Sequence, residues 1–225
     1  MVGIASLQRI HWTKAWRIVA TRQPRINLYG RIANSQEQRL LAHLEERTNP
    51  RMMVESGRQW FLRKGDYFRP SLSTSVKAPF SYLTKSRFGN GSFPVLYAAH
   101  EEATALSEKR YHMAEFFKAH YTPPTTSKQT AWWLNIAGTF HDMRDKTKFL
   151  REYSPTSYGA SQALGLRLWK MDSPGIVYNS VWHIGGRCLA VFSPQTIHSC
   201  MRGLLYEFHW DGAHISNTFR LEPRQ

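Results

Sequence analysis

The pattern of apolar and polar positions between Phe93 and His112 predicts a short strand followed by a helix. Residues 95–97 are apolar, and the glycines and proline before them mark a turn. From about Glu101 the residues favour a helix, and apolar side chains recur at helical spacing. The predicted buried face consists of Ala103, Leu106, Arg110, Met113 and Phe117. The row beside it consists of Ala105, Glu108, His112 and Phe116. Glu108 lies at the margin of the apolar stripe, where a carboxylate is paired, hydrogen-bonded or facing a cleft. A salt-bridged surface group is the ordinary alternative.

Three further segments of the first half have interpretable patterns. Residues 15–19 are predicted to be extended, so that Arg17 lies in a strand, where an edge-strand cation reaching solvent is the ordinary alternative. Residues 35–47 predict a scaffold helix with Ser35 as its N-cap. Residues 51–92 are rich in glycine and proline and are predicted to be mostly irregular. Such a long loop in a compact domain is often functional.

The second half of the chain predicts a core strand, a helix and two hairpins. Residues 132–137 form the strand, and a helix is expected to begin near Ser157. Its predicted buried residues are Ala160, Leu164, Leu168 and Met171. Segments 175–178 and 189–192 flank a Gly-Gly turn, which predicts a hairpin with Ser180 at its mouth, and the Asp-Gly at 211–212 predicts another. No domain boundary is evident. We therefore expect one domain over 1–225, of α+β class, with a central, mostly antiparallel mixed sheet flanked by helices.

Composition limits the cellular setting and the partners. The 225 residues can bury one sizeable core, and no apolar run is long enough to cross a bilayer. The N-terminus lacks a secretory pattern, and the 2 cysteines, Cys188 and Cys200, have no metal-binding spacing, so we expect a cytoplasmic protein without a zinc site. The net charge of +14 is typical of nucleic-acid binders, but the basic residues form no tract and no nucleic-acid-binding motif is present. An acidic protein or a phosphate-bearing small molecule suits the charge equally well.

Candidate chemistry rests on separated polar residues at strand ends and helix margins. The chain lacks the Rossmann, phosphate-loop, hydrolase-elbow and zincin motifs. Arg87 precedes the strand at 95–97 beside two glycines that let the backbone approach a ligand, and a guanidinium there suits bidentate binding of phosphate. A surface arginine of a loop, and a serine that only caps a helix, are the ordinary alternatives for Arg87 and Ser161. The candidate set is Arg17, Arg87, Tyr97, Glu108, Ser161 and Ser180.

These residues resemble the pattern of the RES-domain family, named for its Arg, Glu and Ser. An aromatic-Arg-Ile start is matched by residues 16–18, and a glycine-rich Arg segment by residues 86–91. A Tyr followed eleven positions later by Glu is matched by Tyr97 and Glu108, with His112 one helical turn on. A Ser-Gln-Ala-Leu helix at 161–164 and a Gly-Ile-Val-Tyr-x-Ser hairpin with its Gly-Gly turn follow in order. The resemblance runs from about Trp16 to Asp211.

The resemblance leaves two assignments open. The family's two arginines stand closer together than Arg17 and Arg87, which are separated here by an inserted helix and loop at about 35–80, so Arg69 is a second candidate for the first arginine. Ser161 and Ser180 both lie in matching segments. Ser180 is preferred because a strand end beside a Gly-Gly turn is a natural cleft position.

The resemblance implies a toxin of a bacterial RES–Xre toxin–antitoxin pair, with an ADP-ribosyltransferase-like fold, that consumes NAD. Arg17 and Arg87 would hold the pyrophosphate, and Tyr97 would stack on or hydrogen-bond the nicotinamide end. Glu108 would bind the nicotinamide ribose and stabilise the positive charge that develops there, and a Ser would hydrogen-bond ribose or amide. No metal is implied. The implied partner is an Xre-type antitoxin, and nucleic acid would be contacted only through it.

Alternative functions remain open from the sequence. The resemblance implies NAD glycohydrolase or phosphorylase activity, but the acceptor can be water, phosphate or a protein. The last of these would make the chain a mono-ADP-ribosyltransferase. From another class, the chain can be a basic nucleic-acid-binding module in which Glu108 and the serines are structural, and its binding would then fall steeply with salt.

Overall fold

The computed structural model describes residues 5–21 and 61–222, and the fold is given for those residues. The helix predicted at 35–47 and most of the predicted insertion at 35–80 lie outside them. In the part of the insertion that is described, one short helix, α1 (Thr74–Lys77), leads into a 3-10 turn, Ala78–Phe80. Within the described ranges no helix is long and apolar enough to cross a membrane.

Seven strands form one sheet in the order β1-β2-β5-β4-β3-β6-β7. Their bounds are β1 Ser6–Ala20, β2 Leu96–Ala99, β3 Thr125–Asp142, β4 Gly175–Asn179, β5 Arg187–Val191, β6 Ile197–Trp210 and β7 Ile215–Leu221. All neighbouring pairs are antiparallel except β3 with β4. The prediction of an α+β fold with a mostly antiparallel mixed sheet is therefore confirmed.

The long strand β1 also pairs with β3 along almost its whole length. This extra pairing joins β1, β2, β5, β4 and β3 into a closed ring of hydrogen-bonded strands, from which β6 and β7 extend. The joint between β1 and β2 is the shortest in the ring, since a single residue pair, Trp16 with Ala99, forms it. The ring brings β1 and β2 side by side although about 75 residues separate them along the chain.

Two longer helices cover the strands. They are α2 (Glu102–Ala119) and α3 (Gly159–Lys170). Ala105 and Met113 of α2, with Leu164 and Leu168 of α3, join one buried cluster, while the other cluster contains Leu72, Val76 and Phe80 around α1. Because successive side chains of a strand point to opposite faces, Leu96 and Ala98 of β2 enter the second cluster and Ala99 the first.

Several sequence predictions need correction in detail. Ala103 and Arg110 were expected on the buried face of α2, but both are exposed, because the buried residues of the helix are Thr104, Ala105 and Met113. Of the predicted face, Met113 is therefore buried as expected. Helix α3 begins at Gly159, near the predicted Ser157, but Met171 is exposed and not buried as predicted, because it lies after the last helical turn. The core strand predicted at 132–137 is part of the longer β3, which extends through Asp142.

Both predicted hairpins are confirmed. Strands β4 and β5 pair from Gly175 with Val191 to Asn179 with Arg187, and Gly185 in the turn has a φ of +79° that favours glycine. Strands β6 and β7 pair around the turn that contains Gly212 at a φ of +104°. Ser180 directly follows β4, at the mouth of the first hairpin.

Candidate functional site

A cavity of about 500 Å³ lies where β1, β2, α2 and the loop before β2 meet, a size typical of small-molecule sites. Its walls mix aromatic and aliphatic side chains with charged ones. The polar side chains that line it include Arg17, Lys85, Arg87, Tyr97, Glu108, Lys109 and His112. Basic groups therefore outnumber the single acidic one in this lining, and an anionic ligand suits the cavity.

Glu108 faces this cavity from the middle of α2. Its side chain is 20% exposed, and the hydroxyl of Ser180 donates a hydrogen bond of 2.6 Å to its Oε1 atom. The Nε2 atom of His112, one turn along the helix, lies 3.6 Å from Oε2. The thiol of Cys188 on β5 lies 4.0 Å from Oε1, and burial raises its pKa well above the ordinary value, so it stays protonated beside the carboxylate.

Ser180 is held in one orientation by the turn that follows β4. Its Oγ atom accepts hydrogen bonds from the backbone N–H groups of Trp182 at 3.1 Å and His183 at 2.9 Å. A hydroxyl has one proton to donate, and here it is directed at Glu108. The serine therefore orients one oxygen of the carboxylate.

Arg17 reaches the same cavity from β1. Its Nη1 atom donates a hydrogen bond of 2.9 Å to the carbonyl of Tyr97, across the short joint between β1 and β2. Its Nε atom is buried and has no hydrogen-bond partner among the described residues. Burial lowers the pKa of Arg17 to about 10, which leaves the guanidinium charged at neutral pH. The edge-strand alternative is wrong, because the side chain lies against the cavity and not in bulk solvent.

Arg87 is 7% exposed and is anchored along one edge of its guanidinium. Its Nη1 atom donates to the carbonyls of Glu152 at 3.3 Å and Ser154 at 3.0 Å, and the group lies 4.7 Å from the ring centre of Tyr158. The Nη2 atom is buried without a partner in the described ranges. A charged donor fixed in this way is preorganised for an anion.

Tyr97 supports the loop that carries Arg87. Its hydroxyl accepts a hydrogen bond of 2.9 Å from the N–H of Phe88 and is 2.8 Å from the hydroxyl of Ser86. Burial raises the pKa of Tyr97 to about 12, so the ring is neutral at physiological pH. Because the hydroxyl is already engaged, the ring face is the part of Tyr97 best able to meet a ligand.

Ser161 has a different surrounding from Ser180. It is fully buried in α3, and its hydroxyl donates to the carbonyl of Arg87 at 2.5 Å and lies 3.0 Å from that of Tyr158. Gly165, one turn later, packs so tightly that a Cβ there would lie 2.0 Å from the carbonyl oxygen of Phe88. Helix α3 thus packs closely against the loop that carries Arg87, and Ser161 hydrogen-bonds the backbone of that loop.

The geometry brings five of the sequence candidates to the cavity region: Arg17, Arg87, Tyr97, Glu108 and Ser180. Arg69 is partly buried but does not belong to the lining of the cavity in the described part of the chain. Of the two assignments left open, Arg17 lies at the cavity and Arg69 does not, and Ser180 contacts Glu108 while Ser161 does not. Ser161 instead hydrogen-bonds the backbone of the loop that carries Arg87.

Lys109 is one of the charged groups of the cavity lining that sequence reasoning did not single out. This side chain follows Glu108 on α2 and lines the cavity. Burial, together with the positive charge of Arg17, lowers its pKa to about 8. A lysine next to a glutamate on a helix is ordinarily exposed to solvent. Here the pairing of β1 with β2 next to α2 forms the cavity that Lys109 lines. Among the described residues, no group of three or more His, Cys, Asp or Glu side chains has the arrangement to hold a metal ion.

Comparison with known proteins gives three findings. The RES domain model matches residues 60–211. The uncharacterized protein y4oC of Sinorhizobium fredii (strain NBRC 101917 / NGR234) is 24% identical over 209 residues, which are 92% of this chain and 87% of that protein. The crystal structure of the M. tuberculosis MbcT-MbcA toxin-antitoxin complex contains a chain with a TM-score of 0.42 and 11% sequence identity, covering 87% of this chain and 86% of that one. The domain match includes the segments of Arg87, Glu108 and Ser180 and begins after Arg17.

Proposed function

Because the chain belongs to the RES-domain family, we propose that it is an enzyme that degrades NAD by breaking the bond between nicotinamide and ribose. The observation that carries the proposal is the Glu108 carboxylate, which is partly buried, oriented by Ser180 and turned toward a cavity that two arginines also line. In this proposal the closed, mostly antiparallel sheet is a variant of the ADP-ribosyltransferase-like fold, and NAD is a substrate.

The arginines would bind the pyrophosphate of NAD. Arg17 and Arg87 each keep a buried N–H group without a protein partner in the described residues, and each side chain is fixed by a hydrogen bond to a backbone carbonyl. Such donors form short, charge-assisted hydrogen bonds to phosphate oxygens. Because their partners are already in place, little side-chain freedom would be lost when the substrate binds.

Glu108 would stabilise the charge that develops when the bond breaks. The electron pair of the C1′–N bond leaves with the nicotinamide nitrogen, which becomes neutral, and the ribose takes on positive charge. A carboxylate fixed beside C1′ lowers the energy of that state, and Ser180 and His112 would hold it in place. The acceptor then donates an electron pair to C1′ and loses a proton. Water as acceptor gives ADP-ribose, and inorganic phosphate gives its phosphorylated form.

The family also leads us to propose an antitoxin partner. An Xre-type antitoxin would neutralise the enzyme by covering the cavity mouth, and the net charge of +14 favours an acidic surface on that partner. Contact with nucleic acid would then occur through the antitoxin. Growth arrest on expression of the chain alone, relieved by co-expression of the partner, is the expected behaviour.

The deciding experiment measures NAD in bacteria after induced expression of wild type, Glu108→Gln and Glu115→Gln. Glu115 lies on the same helix, but its side chain is 51% exposed and pairs with Lys118, so it is a matched control. We expect rapid NAD loss with wild type and with Glu115→Gln, and a rate lower by about 10²–10³-fold with Glu108→Gln. Full NAD consumption by Glu108→Gln, or stable NAD levels with folded wild type, would contradict the proposal. Chromatography of the products distinguishes water, phosphate and protein acceptors.

A further inference from the structure

Lys109 is a cavity-lining cation that no described acidic group neutralises. It follows Glu108 on α2, and its side chain is partly buried. The only charged group that perturbs it is Arg17, which has the same sign. No hydrogen bond or ion pair joins it to the residues at 5–21 or 61–222. A lysine of this kind is unfavourable in the empty protein.

Arg17 lines the same cavity as Lys109. Arg17 comes from β1 and also keeps its buried Nε atom without a partner among the described residues. Two cationic side chains from different elements, β1 and α2, thus line the same cavity, and the positive charge of Arg17 contributes to the lowered pKa of Lys109. Like charges brought together in a wall destabilise the empty site and are relieved when an anion binds between them.

We propose that Lys109 is a further substrate-binding residue, which forms a phosphate subsite together with Arg17. The inference rests on the proposed function for the identity of the ligand, a nucleoside diphosphate group, and the geometry of the two cations is independent of it. In this arrangement Arg87, anchored to the carbonyls of residues 152 and 154, binds the second phosphate. Lys109 therefore adds a third cation to the two arginines that recognise the phosphates of the substrate.

The first test separates binding from catalysis by using ADP, which has the phosphates but no bond to cleave. Titration calorimetry would compare wild type, Lys109→Met, Lys109→Arg and Lys118→Met. Lys118 is on the same helix, is 54% exposed and pairs with Glu115. We expect the Kd for ADP to rise about 10- to 100-fold in Lys109→Met, as for loss of a hydrogen bond to a charged group. Lys109→Arg keeps the charge and should stay within about threefold of wild type, and Lys118→Met should be unchanged. Adenosine, which lacks phosphates, should bind all four proteins alike.

The second test measures the steady-state kinetics of NAD cleavage and the pH dependence of ADP binding. Lys109→Met should raise the KM for NAD by about 10- to 100-fold with a much smaller change in kcat, because the lysine binds phosphate and not the reacting ribose.

Binding of ADP to wild type should weaken as pH rises through about 8, where Lys109 loses its proton, and this dependence should be absent in Lys109→Met. The other titratable or charged groups of the cavity lining are Arg17, Tyr82, Lys85, Arg87, Tyr97, Glu108, His112, Tyr158, Tyr178 and Cys188. Arg17, with a pKa of about 10, stays charged across this range, and burial raises the pKa values of Tyr97, Tyr178 and Cys188, so these four groups do not change charge between about pH 7 and 9.

The outcomes separate this inference from the proposed function. If Lys109→Met binds ADP and turns over NAD as wild type does, the phosphate subsite is refuted while NAD cleavage stands. If NAD is never consumed but ADP binding still depends on Lys109, the subsite stands and the reaction is refuted. Should Lys109→Met fail to fold, the wild-type titration decides, because a Kd for ADP that is constant from about pH 7 to 9 overturns the inference.

Discussion

Replacing Lys109 with methionine is expected to stabilise the folded protein even though it weakens ligand binding. Burial and the neighbouring charge of Arg17 lower the pKa of Lys109 from 10.5 to about 8. Each tenfold change in proton affinity corresponds to about 1.4 kcal/mol, so the charged lysine lowers the free energy of unfolding at neutral pH by at most about 3 kcal/mol. Solvent reaches part of the side chain and screens the charge, which reduces the expected gain to about 1–2 kcal/mol. Methionine is unbranched like lysine, lacks only the terminal atom in length, and removes the charge.

Urea unfolding at low salt, over a range of pH, measures this gain. The unfolded chain keeps the lysine proton up to pH 10.5 and the folded chain only up to about 8, so wild-type stability rises between these values. The advantage of Lys109→Met is therefore complete below about pH 8 and disappears toward 10.5. Lys118→Met, at an exposed position of the same helix, should remain within about 0.5 kcal/mol of wild type. A Lys109→Met protein no more stable than wild type at neutral pH would refute the reasoning.

Two further variants test the supports of the site. Ser180→Ala removes the hydrogen bond that orients Glu108 and should lower kcat for NAD about 10- to 100-fold while the KM changes less; an unchanged kcat in steady-state assays would exclude that positioning role. Gly165→Ala forces a Cβ against the Phe88 carbonyl and should lower the free energy of unfolding by about 1–3 kcal/mol. Gly159→Ala, in the same helix but with open space around it, is the control, and equal stability of the two variants in urea unfolding would contradict the close contact.

The fold could be predicted where its elements are set by local pattern. The hairpin of β4 and β5 follows from apolar runs around a Gly-Gly turn, and α2 follows from helical spacing after a short strand. The ring of strands could not be predicted in this way. It depends on the pairing of β1 with both β2 and β3, and the partners of β1 are far away along the chain.

The same distinction holds for the site. Residue type and local position identified Glu108, Arg87 and both serines as candidates, but the choice between Ser161 and Ser180 depends on a contact across 72 residues. Lys109 could not be identified, because its burial and its neighbour Arg17, which is 92 positions away along the chain, arise only in the folded protein. Local patterns thus find the reactive residue types, while tertiary packing decides which of them share a cavity.

The closed ring of strands also has a mechanical consequence. A closed ring under outward load parts first at its weakest joint, and here that joint is the single residue pair between β1 and β2. The hydrogen bond from Arg17 to the carbonyl of Tyr97 spans the same joint, so the side chain that we propose to bind the substrate also connects the two strands there. A molecule that draws Arg17 away from this carbonyl would loosen the ring at the wall of the cavity, while the long pairing of β1 with β3 keeps the opposite side rigid.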